Sequence, residues 1–390
     1  MMLREATWVQ ARDAAAHMCS PRASEHVEVS DSSGRVLAED RLAHCDLPSF
    51  DSSAMDGWAV AGPGPWRVIG DAFAGRAYEQ PLKSGSAIRI ATGAVVPQGT
   101  SAIIRWEDAT LAVGVIRAPA TPGLHIRRAG EECRVGDLVA HSGTDITPAL
   151  AGFLAATGHD AIPVVRRPRI GLVLLGDELQ HSGVPRDGRV RDSLGPQLPG
   201  WLIRMGAEVV ATEHIPDDLD AVVAALQRNA SECDVIITTG GTAAGPRDHL
   251  HAALAVAAGT LVVDCVAVRP GHPMLLATLP GTGSDVVPVI GLPGNPHSAI
   301  VGLMTLVQPI IDAMLGRPAM ALRSVPTVEA LRSPAGHTRL IAGNLVDGKF
   351  VLSPFGGSAM LRGLAQSSGF AVAPAGDTPA GAVIDWLPLP

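Results

Sequence analysis

Hydrophobic and polar positions change rhythm several times along this 390-residue chain, and each change marks an element or a boundary. Ala11, Ala14, Ala15 and Met18 share one face at helical spacing, which predicts an amphipathic helix near the start. A short extended piece, Val27 to Val29, and a second helix over Val36–Glu39 are expected next. From Asp46 the texture becomes a polar loop, PSFDSSAMDGWAV, with a strand-like tail. Short β-type runs then recur without helical period (Trp66–Ile69, Ala87–Ile90, Ala102–Trp106, Val113–Arg117, Leu138–Ala140), separated by Gly, Pro and Asp. Pro148 to Thr157 reads as a helix. Beyond Arg166-Arg167-Pro168 the chain alternates in the α/β manner, with strands at Ile170–Leu175, Glu208–Thr212, Val235–Ile237, Thr260–Val263 and Val286–Ile290. Helices are expected over Ser193–Met205, after a cap at Asp217, and over Ser298–Met314. After Arg317-Pro318 the short strands return.

The fold class this predicts is a multidomain α/β and β chain in four parts. They are a helical part over residues 1–45 and 141–166, an inserted β domain over 46–140, a three-layer α/β domain with a mostly parallel sheet over 167–316, and a small C-terminal β-barrel over 317–390. Three strands of the α/β part end in glycine-rich or acidic loops. Gly176-Asp177-Glu178 follows the first, and GLPGNP (Gly291 to Pro296) follows the last. Between them TTGGTAAG (Thr238 to Gly245) passes Pro246 into a helix entered near Asp248. In a parallel sheet such loops share one edge, where ligands bind. Paired glycines let backbone N–H groups approach an anion, and an adjacent carboxylate suits a cation. A plain tight turn with an exposed acid accounts for any one of these loops. The convergence of three favours a site.

Composition narrows the chemistry. At 47% apolar and 17% charged, the chain can fill several cores and is not disordered. A net charge of −8 argues against a nucleic-acid groove. Lys83 and Lys349 are the only lysines, so a catalytic lysine has few places to be. Five scattered cysteines without a CxxC pair suit a reducing cytosol and offer no zinc site of their own. The first twenty residues mix charges into the apolar positions, and the apolar run Ala252–Val263 is too short to span a bilayer. The expectation is a soluble, cytoplasmic protein with no membrane partner. No Walker, dinucleotide, GxSxG or HExxH pattern is present. Asp177, Glu178, Asp217 and Asp248 beside glycine loops remain, and carboxylates with backbone amides suit a magnesium-assisted reaction at a phosphorylated small ligand.

Seven motifs then stand in one order: FDSSAMDGWAV, IRIATGAVVPQGTSAIIRWED, RRAGEECRVGD, the GDEL of Gly176–Leu179, TTGGTAAGPRD, VRPGHP and GLPGNPHSA. Together they resemble the molybdopterin molybdenumtransferase family, the MoeA proteins related to the E domain of gephyrin, over essentially the whole chain. The resemblance implies an elongated homodimer, with the helical part serving in dimerisation. Its active site would lie between the α/β domain of one subunit and parts of the β domain of the other. The implied reaction takes adenylylated molybdopterin and molybdate, hydrolyses the adenylyl group with Mg²⁺ and leaves molybdenum on the dithiolene. A molybdopterin adenylyltransferase is the implied upstream partner. Positions matching those the family uses are Asp56, Thr92, Glu132, Glu178, Asp217 and Asp248. Glu178 and Asp248 are expected near the cation. Gly176, Asp177, Gly240, Gly241, Gly245, Pro273, Pro293, Gly294, Asn295 and Ser298 are expected on the ligand, with Arg269 and His272 beside the molybdate oxyanion.

Several positions depart from the family pattern. Ala243 stands where the loop usually has serine, Leu194 where it has Asn, and Ser367-Ser368 where an A-N pair stands. The usual lysine-rich segment reads Cys265, Arg269, His272. The acids persist while several anion-contacting positions do not. Two readings follow: an active molybdenum-inserting enzyme, or a non-catalytic or divergent paralogue that uses the dimeric scaffold for protein interaction.

Overall fold

The computed structural model describes residues 2–242, 249–281 and 286–390. The chain divides into two units: residues 26–164, and residues 1–25 together with 165–390.

The unit of residues 26–164 is built on a six-stranded sheet. Its strands run in the order Ala102–Arg105, Gly57–Val60, Ser86–Ile90, Trp66–Ala72, Val115–Arg117, Thr110–Ala112. Alternation along Gly57–Val60 sends Ala59 to one core with Ile88, Ile90 and Ile103, and Trp58 and Val60 to another with Ala87 and Ile104. Gly57 is obligatory, because a Cβ there would sit 1.9 Å from the Ile104 carbonyl oxygen. A nine-residue helix, Pro148–Ala156, is capped by the Thr147 side chain, which accepts from the Leu150 N–H. It packs Leu154 against Val29, Leu37, Ile146 and Ile162. The helix expected over Val36–Glu39 does not form. Val36 and Leu37 instead bridge to Asp145 and Val164 as extended chain, and their β-branched and apolar side chains are buried there.

The larger unit contains the sheet that positions the site. In chain order its elements are β1 (Leu3–Ala6), α1 (Trp8–Ala16), β2 (Arg169–Leu175), α2 (Leu194–Met205), β3 (Glu208–Ile215) and α3 (Leu219–Glu232). They continue with β4 (Val235–Thr239), α4 (Leu250–Val256), β5 (Thr260–Val266), β6 (Leu275–Pro280) and β7 (Val286–Leu292). The strand order is β1-β5-β6-β7-β4-β2-β3. All neighbours pair in parallel except β6, which is antiparallel to β5 and β7. The mostly parallel sheet is therefore as expected, with one reversed strand that the sequence pattern does not announce. Val173 and Leu175 on one face pack with α3 and α4. Leu174, pointing the other way, meets the start of α2 at Gly195, which gives the layer on the second face.

Residues 1–25 belong to this unit rather than to the helical part with residues 141–166, as the boundary at residue 45 assumed. β1 adds a parallel edge strand to β5, and α1 follows with a capping box in which Thr7 and Gln10 exchange hydrogen bonds. Trp8 is buried and donates its Nε1–H to Thr305 Oγ1 at 3.1 Å. Pro296–Leu315 is apolar and long enough by composition to cross a membrane, but nearly all of it is buried inside the protein, as a core helix would be. It contains a π-helical turn at Leu303–Val307. Five C-terminal strands and the edge strand Val268–Arg269 form a second six-stranded sheet around Val325, Phe350, Ala371 and Trp386.

Candidate active site

Parallel strands β2, β4 and β7 deliver three loops to one edge of the sheet, and these loops, with Pro273, Ala359 and Leu361, line a cavity of about 660 Å³. Glu178, Gly240, Gly241, Pro273, Pro293, Gly294 and Asn295 all line it. Gly240 and Gly241 have φ of +80° and +67°, a pair of left-handed residues that lets β4 turn sharply under the ligand space. A Cβ on Gly241 would press Leu175 Cδ1 at 3.2 Å, and Gly294 lies close to the Gly240 backbone.

The Gly240 N–H donates to the Leu292 carbonyl at 2.9 Å, so this amide ties β4 to β7 and is not offered to a phosphate. That corrects the expectation of a phosphate-donating amide at Gly240. Gly245 and Asp248, with Ala243, lie outside the described residues. Glu178 is exposed, and its carboxylate folds over Gly176, whose φ of +136° leaves room for it.

Asp177 and Asp217 meet at the ends of β2 and β3. Each accepts the other's backbone N–H, at 3.3 and 3.4 Å, which holds the exposed Asp177 and the half-buried Asp217 side by side. Asp217 is not the cap of α3. Asp218 takes that role, accepting the Ala221 N–H at 2.9 Å. This frees Asp217 to face Asp177.

Arg269 and Ser298 do not line the cavity. Arg269 is exposed on the short strand that pairs with Thr338–Arg339. Ser298 is buried, and the N–H groups of His297 and Ser298 donate to the Ser358 carbonyl, so this helix start is closed by the chain itself. His272 places Nε2 2.7 Å from the Glu5 carboxylate, with Cys265 alongside. Burial, helped by Asp264 and Glu5, pushes the Cys265 thiol up, so it stays protonated at neutral pH. The corner expected to receive an oxyanion thus carries a carboxylate from β1.

Sequence reasoning missed Glu5 because nothing in a four-residue edge strand signals contact with a loop some 270 positions away. It also missed Arg191, Asp192, Thr239 and Thr242 on the cavity wall. Among the described lining residues Arg191 is the basic one, held by its hydrogen bond to the Gln180 carbonyl at 3.2 Å. Its signal was the charged run before the helix at RVRDSL.

In the other unit, Asp56 and Thr92 are brought together. Asp56 Oδ1 accepts both the Thr92 N–H at 2.7 Å and the Thr92 hydroxyl at 3.0 Å. The backbone amide first, then the hydroxyl, holds the Asp56 carboxyl below its usual range. Glu132 is exposed on a turn whose backbone N–H groups, from Glu132 and Cys133, bond to Leu47. The neighbouring Arg128 donates to Asp51 at 2.6 Å, and the Ala129 N–H donates to the same carboxylate.

Comparison with known proteins gives a consistent outcome. Residues 6–158 match the family described as MoeA N-terminal region (domain I and II), residues 171–313 a probable molybdopterin binding domain, and residues 324–389 the MoeA C-terminal region (domain IV). The chain is 37% identical over 330 residues to molybdopterin molybdenumtransferase 2 of Mycobacterium tuberculosis, covering 80% of each chain. It is 34% identical to the molybdopterin molybdenumtransferase of Synechococcus elongatus, covering 91% of this chain and 92% of that one. The fold superposes on the crystal structure of a molybdopterin biosynthesis moeA protein from Pyrococcus horikoshii OT3 with a TM-score of 0.81. That match covers 98% and 99% of the two chains at 23% identity.

Proposed function

This chain belongs to the MoeA family of molybdopterin molybdenumtransferases, and on that premise we propose that it inserts molybdate into adenylylated molybdopterin with release of AMP. The observation that carries this reading is the cavity at the parallel sheet edge, which gathers Glu178, Gly241, Pro293, Gly294 and Asn295 onto one wall. It is large enough for much of a nucleotide-sized ligand.

By donor chemistry the acids at this edge suit magnesium: Glu178 and Asp177 carry exposed carboxylates after β2 and Asp217 a half-buried one after β3, and hard oxygens are what Mg²⁺ takes. Glu178, on the cavity wall, would hold the ion, while among the described residues the three carboxylates do not converge on one point. When bound, the ion neutralises phosphate charge. Arg191, also on the cavity wall, would pair with a ligand phosphate through its guanidinium fork. Leu175, Leu194 and the proline-rich loop of residues 293–296 exclude water and orient the ligand's flat ring system. A homodimer, delivery by an adenylyltransferase and a cytoplasmic setting belong to the same reading.

One observation favours the alternative of a non-catalytic paralogue. Glu5 facing His272 puts negative charge where molybdate would need donors. Titration calorimetry separates the two. The purified chain should bind adenylylated molybdopterin at micromolar concentration in the presence of Mg²⁺, and Arg191→Ala should weaken this about tenfold. Absence of binding at millimolar ligand would leave the scaffold reading.

A further inference from the structure

Beside the cavity stands a cluster that the proposed reaction does not use. His214 Nε2 lies 3.3 Å and His181 Nδ1 3.7 Å from Oδ2 of Asp192. The three ligand atoms all fall within 4.8 Å of one another, and the two imidazole rings lie 3.7 Å apart between centroids. The three side chains come from three places: the loop after β2, the turn before α2, and the end of β3.

The cluster is built rather than accidental. Asp192 Oδ1 accepts the N–H groups of Leu194 at 3.0 Å and Gly195 at 2.9 Å, at the start of α2. That cap fixes the carboxylate plane and turns Oδ2 toward both histidines. The Asp192 side chain is only 7% exposed, whereas His214 and His181 are 39% and 50% exposed, so the group is closed on the protein side and open to solvent. Leu179–Gln180 and Val190–Arg191 pair as parallel strands, and the Asp192 N–H donates to the Gln180 carbonyl at 3.0 Å. The backbones bearing His181 and Asp192 are therefore clamped together before any ligand arrives.

Two imidazoles and one carboxylate are a donor set for borderline transition-metal dications, with further positions open to water or ligand oxygens. Magnesium and calcium prefer oxygen-only sites and would not compete well here. The backbone amides on Oδ1 act as the outer shell that orients a ligating carboxylate. We propose that His181, Asp192 and His214 form a binding site for a transition-metal dication of the zinc class at the rim of the cavity. Asp192 lines that cavity, so a metal held there would sit next to the same ligand space. The proposal does not depend on the molybdenum-transfer reading.

Calorimetric titration of the chelator-stripped full chain with zinc chloride, and optical titration with cobalt(II), test it. One tight equivalent of zinc per chain and a visible cobalt band are expected. His181→Gln and His214→Gln should each weaken zinc at least about tenfold. Asp192→Asn should weaken it too, while its remaining carbonyl oxygen keeps the α2 cap and the fold. Cys265→Ser should change nothing, which separates this site from the Glu5, Cys265 and His272 group. Binding that survives both histidine variants, or is lost in Cys265→Ser, overturns the proposal. So does the absence of zinc binding at millimolar concentration, which would leave the cluster as a helix cap with two histidines packed beside it.

Discussion

Asp56 accepts two hydrogen bonds from Thr92 on a single oxygen, and this small arrangement ties the MDG and TGA motifs to each other in space. Because the Asp56 carboxyl is held below its ordinary value, its ionised form supports the Thr92 turn. The linkage sign follows: that support is complete above the unfolded pKa of about 3.9 and is lost as pH falls through the lower folded value. Thr92→Val, which keeps the backbone bond and removes the hydroxyl, should raise the Asp56 pKa, measurable by carboxyl NMR titration. At Gly57 the sequence shows a glycine in a motif, but only the 1.9 Å approach of the Ile104 carbonyl shows why. Gly57→Ala should cost about 3 kcal/mol or more in urea unfolding, since a backbone-to-Cβ collision inside a central strand has no flexible side chain to move. Glu178 was legible from its GDEL context, whereas Arg191 and Glu5 were not. Their roles depend on where loops and strand edges land in space, which local pattern does not encode.

Elements with strong period were read well, and those with none were not. β2 and β4 are continuous apolar runs ending in glycine or acidic turns, so their existence and the shared edge of their loops follow from pattern. β6 escaped notice because its residues, LLATLP, are short and buried between two strands, with no alternation to mark them. β1 escaped because it is a polar edge strand. At the start of the Pro296–Leu315 run, His297 is buried, with Nδ1 2.8 Å from the Gly357 carbonyl and its ring stacked 5.7 Å from Phe370. Burial lowers its pKa, so the neutral ring is the folded form. The unfolded chain then binds the proton more readily, and stability is full above the ordinary histidine value near 6.5 and falls as pH drops below it. The hydrogen-exchange protection factors of residues 357–360, corrected for the intrinsic pH dependence of exchange, should fall between about pH 6.5 and 5. His297→Gln should abolish that fall.

At the scale of the molecule, the first twenty-five residues complete the larger unit from far away in sequence. The helix Trp8–Ala16 was legible, but its destination was not, because an amphipathic face states only that something covers it. Trp8 fills that contact through burial and its bond to Thr305. Trp8→Ala should destabilise this unit by about 3–5 kcal/mol in denaturant unfolding, whereas a smaller loss would show that the segment is only loosely docked. The family and the fold were legible because seven motifs stood in order over the whole chain. What pattern could not weigh is whether the retained acids outvote Glu5 at the His272 corner. The most direct measurement of that central claim is AMP release from adenylylated molybdopterin by the purified chain, with Mg²⁺ and with or without molybdate. The account predicts molybdate-dependent release that falls about a hundredfold in Glu178→Gln. Bound substrate with no AMP release, or release unchanged in Glu178→Gln, would contradict it.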